Sequence, residues 1–263
     1  MEPVSAMFRL GRACLLALAV AVAGTAFGGV TNLFLLVGQS NMAGRGRIAA
    51  GDEIPCARIF KVMQDGTLQP ATEPLHTDKR SAGAGLAMSF ARAYADEHPE
   101  VTVGLVPCAV GGSPISSWEP GRGKNYLAML ERVKAVRGHG RFVGILWHQG
   151  EADGHNRKEV DAYRRQLEAL IAGLRRDVAD VPFVAGELGR YLADFRKRGS
   201  DELAIPLWEE INRITHEVCE STPRCACVSS EGLKPNPDIL HFRTESLREF
   251  GRRYYRAWKS LVP

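Results

Sequence analysis

Four short segments concentrate the residue types that can do chemistry: GQSNMAGRG at 38–46, CAVGGSPISSW at 108–118, WHQGEADG at 147–154 and PDILHF at 237–242. They supply a hydroxyl at Ser40, an imidazole at His241, carboxylates at Asp238 and Glu151, a side-chain amide at Gln149 and the pair Gly111–Gly112. A serine hydroxyl is a weak nucleophile at neutral pH and attacks a carbonyl only when a neighbouring base takes its proton. Histidine is the side chain best suited to that proton, and His241 follows Asp238 by three residues in the last of the four segments. The oxyanion that forms needs N–H donors aimed at it, and glycines let backbone approach an ester without a Cβ in the way.

Each segment also has a plain structural reading when taken alone. A serine after a strand serves as a turn former or helix cap, and D-x-x-H can be a capped turn before a helix. The serine segment is not the G-x-S-x-G elbow, because Met42 replaces the second glycine, and no G-K-[ST] phosphate loop is present. His148, Glu151, Asp153 and His155 lack the H-E-x-x-H pattern, and alternation along a strand end sends them to different faces, so no metal is expected.

The elements that must position these groups follow from periodicity. VTNLFLLV (30–37), VTVGLVPC (101–108), RFVGILWH (141–148), PFVAGEL (182–188) and CACVSS (225–230) are near-continuous apolar runs, the pattern of strands buried on both faces. Between them Val160, Tyr163, Leu167, Leu170, Ile171, Leu174 and Val178 form a helical stripe, Leu86, Phe90, Ala93 and Tyr94 another, and 203–220 and 244–260 read as helices. Alternating strands and helices predict an α/β fold: a single-domain three-layer α/β/α sandwich around a parallel sheet of about five strands. In such sheets sites form beyond the carboxyl ends of the strands, where three of the segments fall. The stretch 44–80 fits no period and is punctuated by glycine and proline, so it is expected to be an elaborated loop.

The chain of 263 residues is 45% hydrophobic and 24% charged, which argues against disorder and against a multi-spanning membrane protein. Its net charge of +4 is too small to support nucleic-acid binding as the main activity. Arg9 and Arg12, the apolar run 13–24, and the small residues Gly24, Ala26 and Gly28 have the layout of a secretory signal peptide, with a retained anchor as the alternative. Residues 1–28 are therefore expected to be removed, leaving one domain over 29–263, secreted or periplasmic and without stable membrane association. Outside that leader Cys56, Cys108, Cys219, Cys225 and Cys227 remain, an odd set with room for one local disulfide in the 219–227 cluster.

Taken together, GQSNM, GGSPISSW, HQGE and the late D-x-x-H resemble the SGNH hydrolase superfamily, within it the branch of sialate O-acetylesterases and family-six acetylxylan esterases, over residues 31–258. The resemblance implies Ser40 as nucleophile, His241 as base and Asp238 as its orienting acid. It implies an oxyanion hole from the N–H of Ser40, an N–H of Gly111–Gly112 and the Gln149 amide, and no metal or organic cofactor. In parts of the family the glutamate matching Glu151 has been assigned as the triad acid; both carboxylates are present here, and Asp238 is preferred. The expected partner is an acetylated carbohydrate, xylan first and sialate second, with a broad short-chain serine esterase or a non-catalytic carbohydrate-binding module as rivals. The last would lack the serine, the base or a donor, and all are present. Trp118 is a candidate sugar platform or else a packing aromatic, and Arg45 a candidate substrate contact or else a solvated loop charge.

Overall fold

The computed structural model describes residues 31–263; the leader-like segment 1–28 lies outside the described residues. In chain order the elements are β1 (Thr31–Gly38), α1 (Ser40–Ala43), β2 (Ile59–Val62), β3 (Leu68–Pro70), α2 (Ala87–Glu97), β4 (Thr102–Pro107), α3 (Lys124–Val136), β5 (Gly140–His148), α4 (Arg157–Asp177), β6 (Phe183–Gly186), α5 (Trp208–Ser221), β7 (Cys225–Val228) and α6 (Thr244–Ser260). They form a single α/β domain around a seven-stranded sheet of order β3-β2-β4-β1-β5-β6-β7. Every pairing is parallel except β2 with β3, which is antiparallel.

The five apolar runs became β1, β4, β5, β6 and β7. The stretch 44–80 is not all loop, because β2 and β3 extend the sheet beyond β4 and raise the strand count to seven. Both are short and carry exposed or half-exposed Lys61, Gln69 and Pro70, so they offer little hydrophobic periodicity to read. A proline in β3 fits a sheet edge, where no ladder donor is needed. Helix α3 was also unforeseen; its stripe Tyr126, Met129, Val133 and Val136 is buried, although Leu127 on another face is exposed and blurs the period.

All eight residues of the central strand β1 are buried, and they divide between two cores by alternation. Leu33, Leu35 and Val37 face a layer with Tyr126, Met129, Tyr163, Leu167 and Ile211, from α3, α4 and α5. Phe34 and Leu36 face the other layer, built on Phe90 and Tyr94 of α2 and Phe250, Tyr254 and Trp258 of α6. Each such fully buried side chain contributes about 1.5–3 kcal/mol, so the two-sided burial fixes which way β1 points its carboxyl end. On β7, the Cys225 thiol donates to the Cys219 sulfur of α5 at 3.0 Å. Arg248 of α6 holds the long β3–α2 connection, donating to the Glu73 carboxylate at 2.9 Å and the Gly85 carbonyl at 3.2 Å.

The carboxyl end of β1 is Gly38, paired with His148 at the end of β5. Its φ of +130° lies where a side chain is strained, and a Cβ there would sit 2.1 Å from the His148 carbonyl oxygen. Only glycine lets β1 turn sharply enough for Gln39 N–H to close on His148 O at 2.8 Å. Gly38→Ala is expected to cost on the order of 3 kcal/mol, from backbone strain plus overpacking. Urea unfolding checks this; a midpoint equal to wild type would show that the turn relaxes.

Candidate active site

Ser40 opens the one-turn helix α1 directly after β1, so the parallel strand delivers its hydroxyl to the sheet's carboxyl edge. Ser40 Oγ lies 3.0 Å from His241 Nε2, and His241 Nδ1 lies 2.7 Å from Asp238 Oδ2. An ionised carboxylate only accepts, so Nδ1 carries the hydrogen and Nε2 presents its lone pair to the serine hydroxyl. Asp238 Oδ1 also accepts the N–H groups of Leu240 and His241, each at 2.9 Å. Burial alone would raise the Asp238 pKa, but the His241 ring and the two backbone N–H groups outweigh it and hold the carboxyl below its ordinary value. The bend that returns Asp238 to His241 passes through Ile239 at φ +57°, a left-handed conformation that β-branched residues rarely adopt. It is braced by Asn236 N–H to His241 O at 2.7 Å and Ile239 N–H to Asn236 O at 3.0 Å.

Asn41, beside the serine and only 1% exposed, ties this loop to β1. Its Oδ1 accepts the Phe242 N–H at 3.1 Å and its Nδ2 donates to the Leu240 carbonyl at 3.3 Å, so it grips both neighbours of His241. The same Nδ2 donates to Glu151 Oε1 at 2.5 Å. Glu151 makes no hydrogen bond to His241; its other oxygen is buried without a partner, and His148 Nδ1 stands 3.8 Å from Oε1. Burial pushes the His148 pKa down, so the ring is neutral and donates from Nε2 to Glu187 O at 3.0 Å. Gln39 completes the framework: its Oε1 accepts the N–H groups of Gly150 and Ala152, both at 3.3 Å.

The glycine pair forms the next wall. Gly111 N–H donates to Asp78 Oδ2 at 2.8 Å, whereas the N–H groups of Gly112 (φ +74°) and Ser40 donate to nothing among the described residues. Arg45 lines the cleft, but as an ion-paired group and not a free or solvated cation. It is locked to Asp78 at 2.7 Å, with side-chain exposures of 7% and 4%. Burial opposes ionisation of Asp78, but Arg45 and the Gly111 N–H prevail and lower its pKa. Trp118 is not a sugar platform either: it is fully buried, edge-on to Trp147 at 5.7 Å, with its indole N–H on Ser113 Oγ at 3.0 Å.

The Gln149 amide is 2% exposed, and its NH2 is engaged by the Ser113 carbonyl at 3.1 Å, Gln39 Oε1 at 3.2 Å and Asp153 Oδ2. Asp153 also accepts the Ile115 N–H at 3.0 Å, and burial pushes its pKa up to about 6. Among the described residues no three His, Cys, Asp or Glu side chains converge as a metal site.

Ser40, His241, Gly111, Gly112, Glu151 and Phe195 line a cleft of about 690 Å³. A hydroxyl, an imidazole relay and two uncommitted N–H groups opening on one cleft are the parts of an ester-cleaving centre. Residues 30–260 match the family described as carbohydrate esterase, sialic acid-specific acetylesterase, and the chain belongs to that family. It is accordingly an enzyme of the carboxylic-ester hydrolase class. An Arabidopsis thaliana protein named Probable carbohydrate esterase At4g34215 is 30% identical over 256 residues, covering 87% of this chain and 90% of its own. That protein's crystal structure superposes with a TM-score of 0.77 at 26% identity, over 88% of this chain and 98% of its own. NanS shares the fold, with a TM-score of 0.70, 16% identity and coverage of 88% and 97%. So does a variant of Axe2, an acetyl xylan esterase from Geobacillus stearothermophilus, at 0.53, 12%, 89% and 98%.

Sequence reasoning missed Asn41 and Asp78 because their partners lie 110 to 201 and 33 residues away, leaving no local signal. Asn41→Ala is expected to lower kcat for ester hydrolysis about a hundredfold by letting the histidine loop drift, with a stability loss of about 1–3 kcal/mol from the orphaned Glu151. Steady-state acetate release and urea unfolding measure the two; an unchanged kcat would rule out the clamp.

The raised pKa of Asp153 predicts a pH signature. Its carboxyl favours the fold when protonated, so its contribution is complete below its ordinary 3.8 and lost as pH rises through about 6. Asp153→Asn should therefore gain on wild type by on the order of 3 kcal/mol between pH 4 and 7, read from paired unfolding curves. A pH-independent difference would contradict this.

Proposed function

We propose that the enzyme removes acetyl groups from carbohydrate hydroxyls by a serine mechanism, a reading carried by the continuous Ser40–His241–Asp238 hydrogen-bond chain opening on the cleft. His241 Nε2 takes the Ser40 proton as Oγ attacks the acetyl carbonyl. The tetrahedral oxyanion is received by the N–H groups of Ser40 and Gly112, each donor worth about 3 kcal/mol in comparable hydrolases. Gln149, expected as a third donor, takes that part only by turning its NH2 away from Asp153. The protonated His241 then returns the proton to the leaving sugar oxygen, and a water activated by the same ring releases acetate from the serine. Asp238 keeps the ring in the tautomer and orientation required, while Glu151 acts through Asn41.

For the sugar, acetylated xylan is the first reading and O-acetylated sialate the second. The small net charge fits an uncharged polymer, which needs no field for capture, and an acetyl xylan esterase is among the proteins sharing the fold. The family's description favours sialate. The leader-like segment supports action outside the cytoplasm, where such substrates occur.

Acetate release from acetylated xylan, acetylated mannan and O-acetylated sialic acid decides between the sugars; fastest turnover of the sialate would reverse the order given. Ser40→Ala should abolish release, and wild-type rates in that variant would end the serine reading. Asp238→Asn should lower kcat by about 10³–10⁴, far more than Glu151→Gln. Equal or reversed losses would transfer the acid role to Glu151.

A further inference from the structure

The connection from β6 to α5 does more than link two elements. After Leu192, which is fully buried, the chain forms a hairpin: Arg196 bridges Leu203, Ala204 N–H donates to Phe195 O at 2.8 Å, and Lys197 N–H to Glu202 O at 2.8 Å. Phe195, Ala204 and Ile205, from its base, line the same cleft as Ser40 and His241. Phe195 is half-buried, packed against the core layer that contains Leu192 and Ile205, so its ring is held in place. With Trp118 inside the core, Phe195 is the one phenyl or indole ring among the described residues lining this cleft.

His155 stands on the same wall, exposed, with Nδ1 2.9 Å from the Ala204 carbonyl. A carbonyl only accepts, so Nδ1 carries a hydrogen, and in the neutral ring Nε2 is an acceptor. The wall thus joins a fixed apolar ring to a lone pair that takes a hydroxyl proton. A pyranose matches it, having an apolar C–H face and hydroxyls at its rim.

We infer that Phe195 and His155 form the subsite for the pyranose that carries the acetyl ester, the ring stacking on Phe195 and a neighbouring hydroxyl donating to His155 Nε2. This rests on the esterase reading above and adds to it which residues select the sugar. Phe195 reads the apolar face of the sugar ring and His155 a hydroxyl at its rim.

The test compares kcat/KM for an acetylated xylooligosaccharide with that for ethyl acetate, an ester with no sugar and no ring. Phe195→Ala should reduce the ratio of the two about tenfold, through KM for the sugar ester, with Phe195→Trp keeping it near the wild-type value. Phe195→Leu, which retains apolar volume at the hairpin base, should lose the ratio as Phe195→Ala does and stands in if the alanine variant misfolds. His155→Ala should reduce it about threefold or more. A ratio unchanged in Phe195→Ala and Phe195→Leu, or lost equally in Phe195→Trp, overturns the subsite. Ser40→Ala separates the two readings: hydrolysis surviving in it sinks the serine mechanism proposed above, whereas hydrolysis lost there with an intact ratio in the Phe195 variants sinks the subsite alone.

Discussion

A hydroxyl and an imidazole 201 residues apart in sequence must meet at 3.0 Å, and the rest of the structure serves that one distance. The sheet supplies the coarse placement. With β1 buried on both faces, Ser40 is thrust out at its carboxyl end, where parallel strands leave an open rim. The fine placement comes from Asn41, whose short amide holds Leu240 and Phe242 on either side of the histidine. Phe242 is the loop's anchor: fully buried, it sits 5.1 Å from both the Phe250 and Tyr191 rings and 5.7 Å from His148. A packed aromatic and an amide thereby convert a surface loop into a rigid mount.

The opposite wall solves an electrostatic problem. Gly111 needs its N–H satisfied while Gly112 keeps its own free, and Asp78 does the first by accepting from Gly111. A carboxylate with side-chain exposure of 4% needs a counter-charge, which Arg45 provides from the turn after Ser40. The pair joins the serine segment to the glycine segment much as Asn41 and Glu151 join it to the glutamine segment. These charges act as framework rather than as substrate receptors.

The fold was legible in most places where burial imposed a period, α3 with its buried stripe being the exception. The five strands with continuous apolar runs stand out because both sheet faces are covered, and α4 stands out by its long stripe. The two strands at the β3 edge left no such trace, since a short, partly exposed edge strand places no strong demand on its residue types. For the site, the four motif segments taken together, through their resemblance to an esterase family, singled out Ser40, Asp238 and His241, which the fold does bring together. Residue type misled at Trp118, and at Arg45 it did not show the ion pair that holds the guanidinium at the cleft wall. An indole and a guanidinium look like ligand contacts until Trp147 and Asp78 claim them, and both partners are distant in sequence. Gln149 shows the same limit, because which way an amide turns depends on Asp153 and Ser113, not on the motif.

Ile239 carries one further consequence. A β-branched residue at φ +57° stores strain, of order 1–3 kcal/mol, inside the four-residue bend from Asp238 to His241. The bend is held closed in part by the three hydrogen bonds that the Asp238 carboxylate accepts. Protonating that carboxylate weakens the acceptors that oppose the strain, so acid loosens the bend itself. The histidine loop is thus spring-loaded behind an ionic latch, with the charge on Asp238 as its catch.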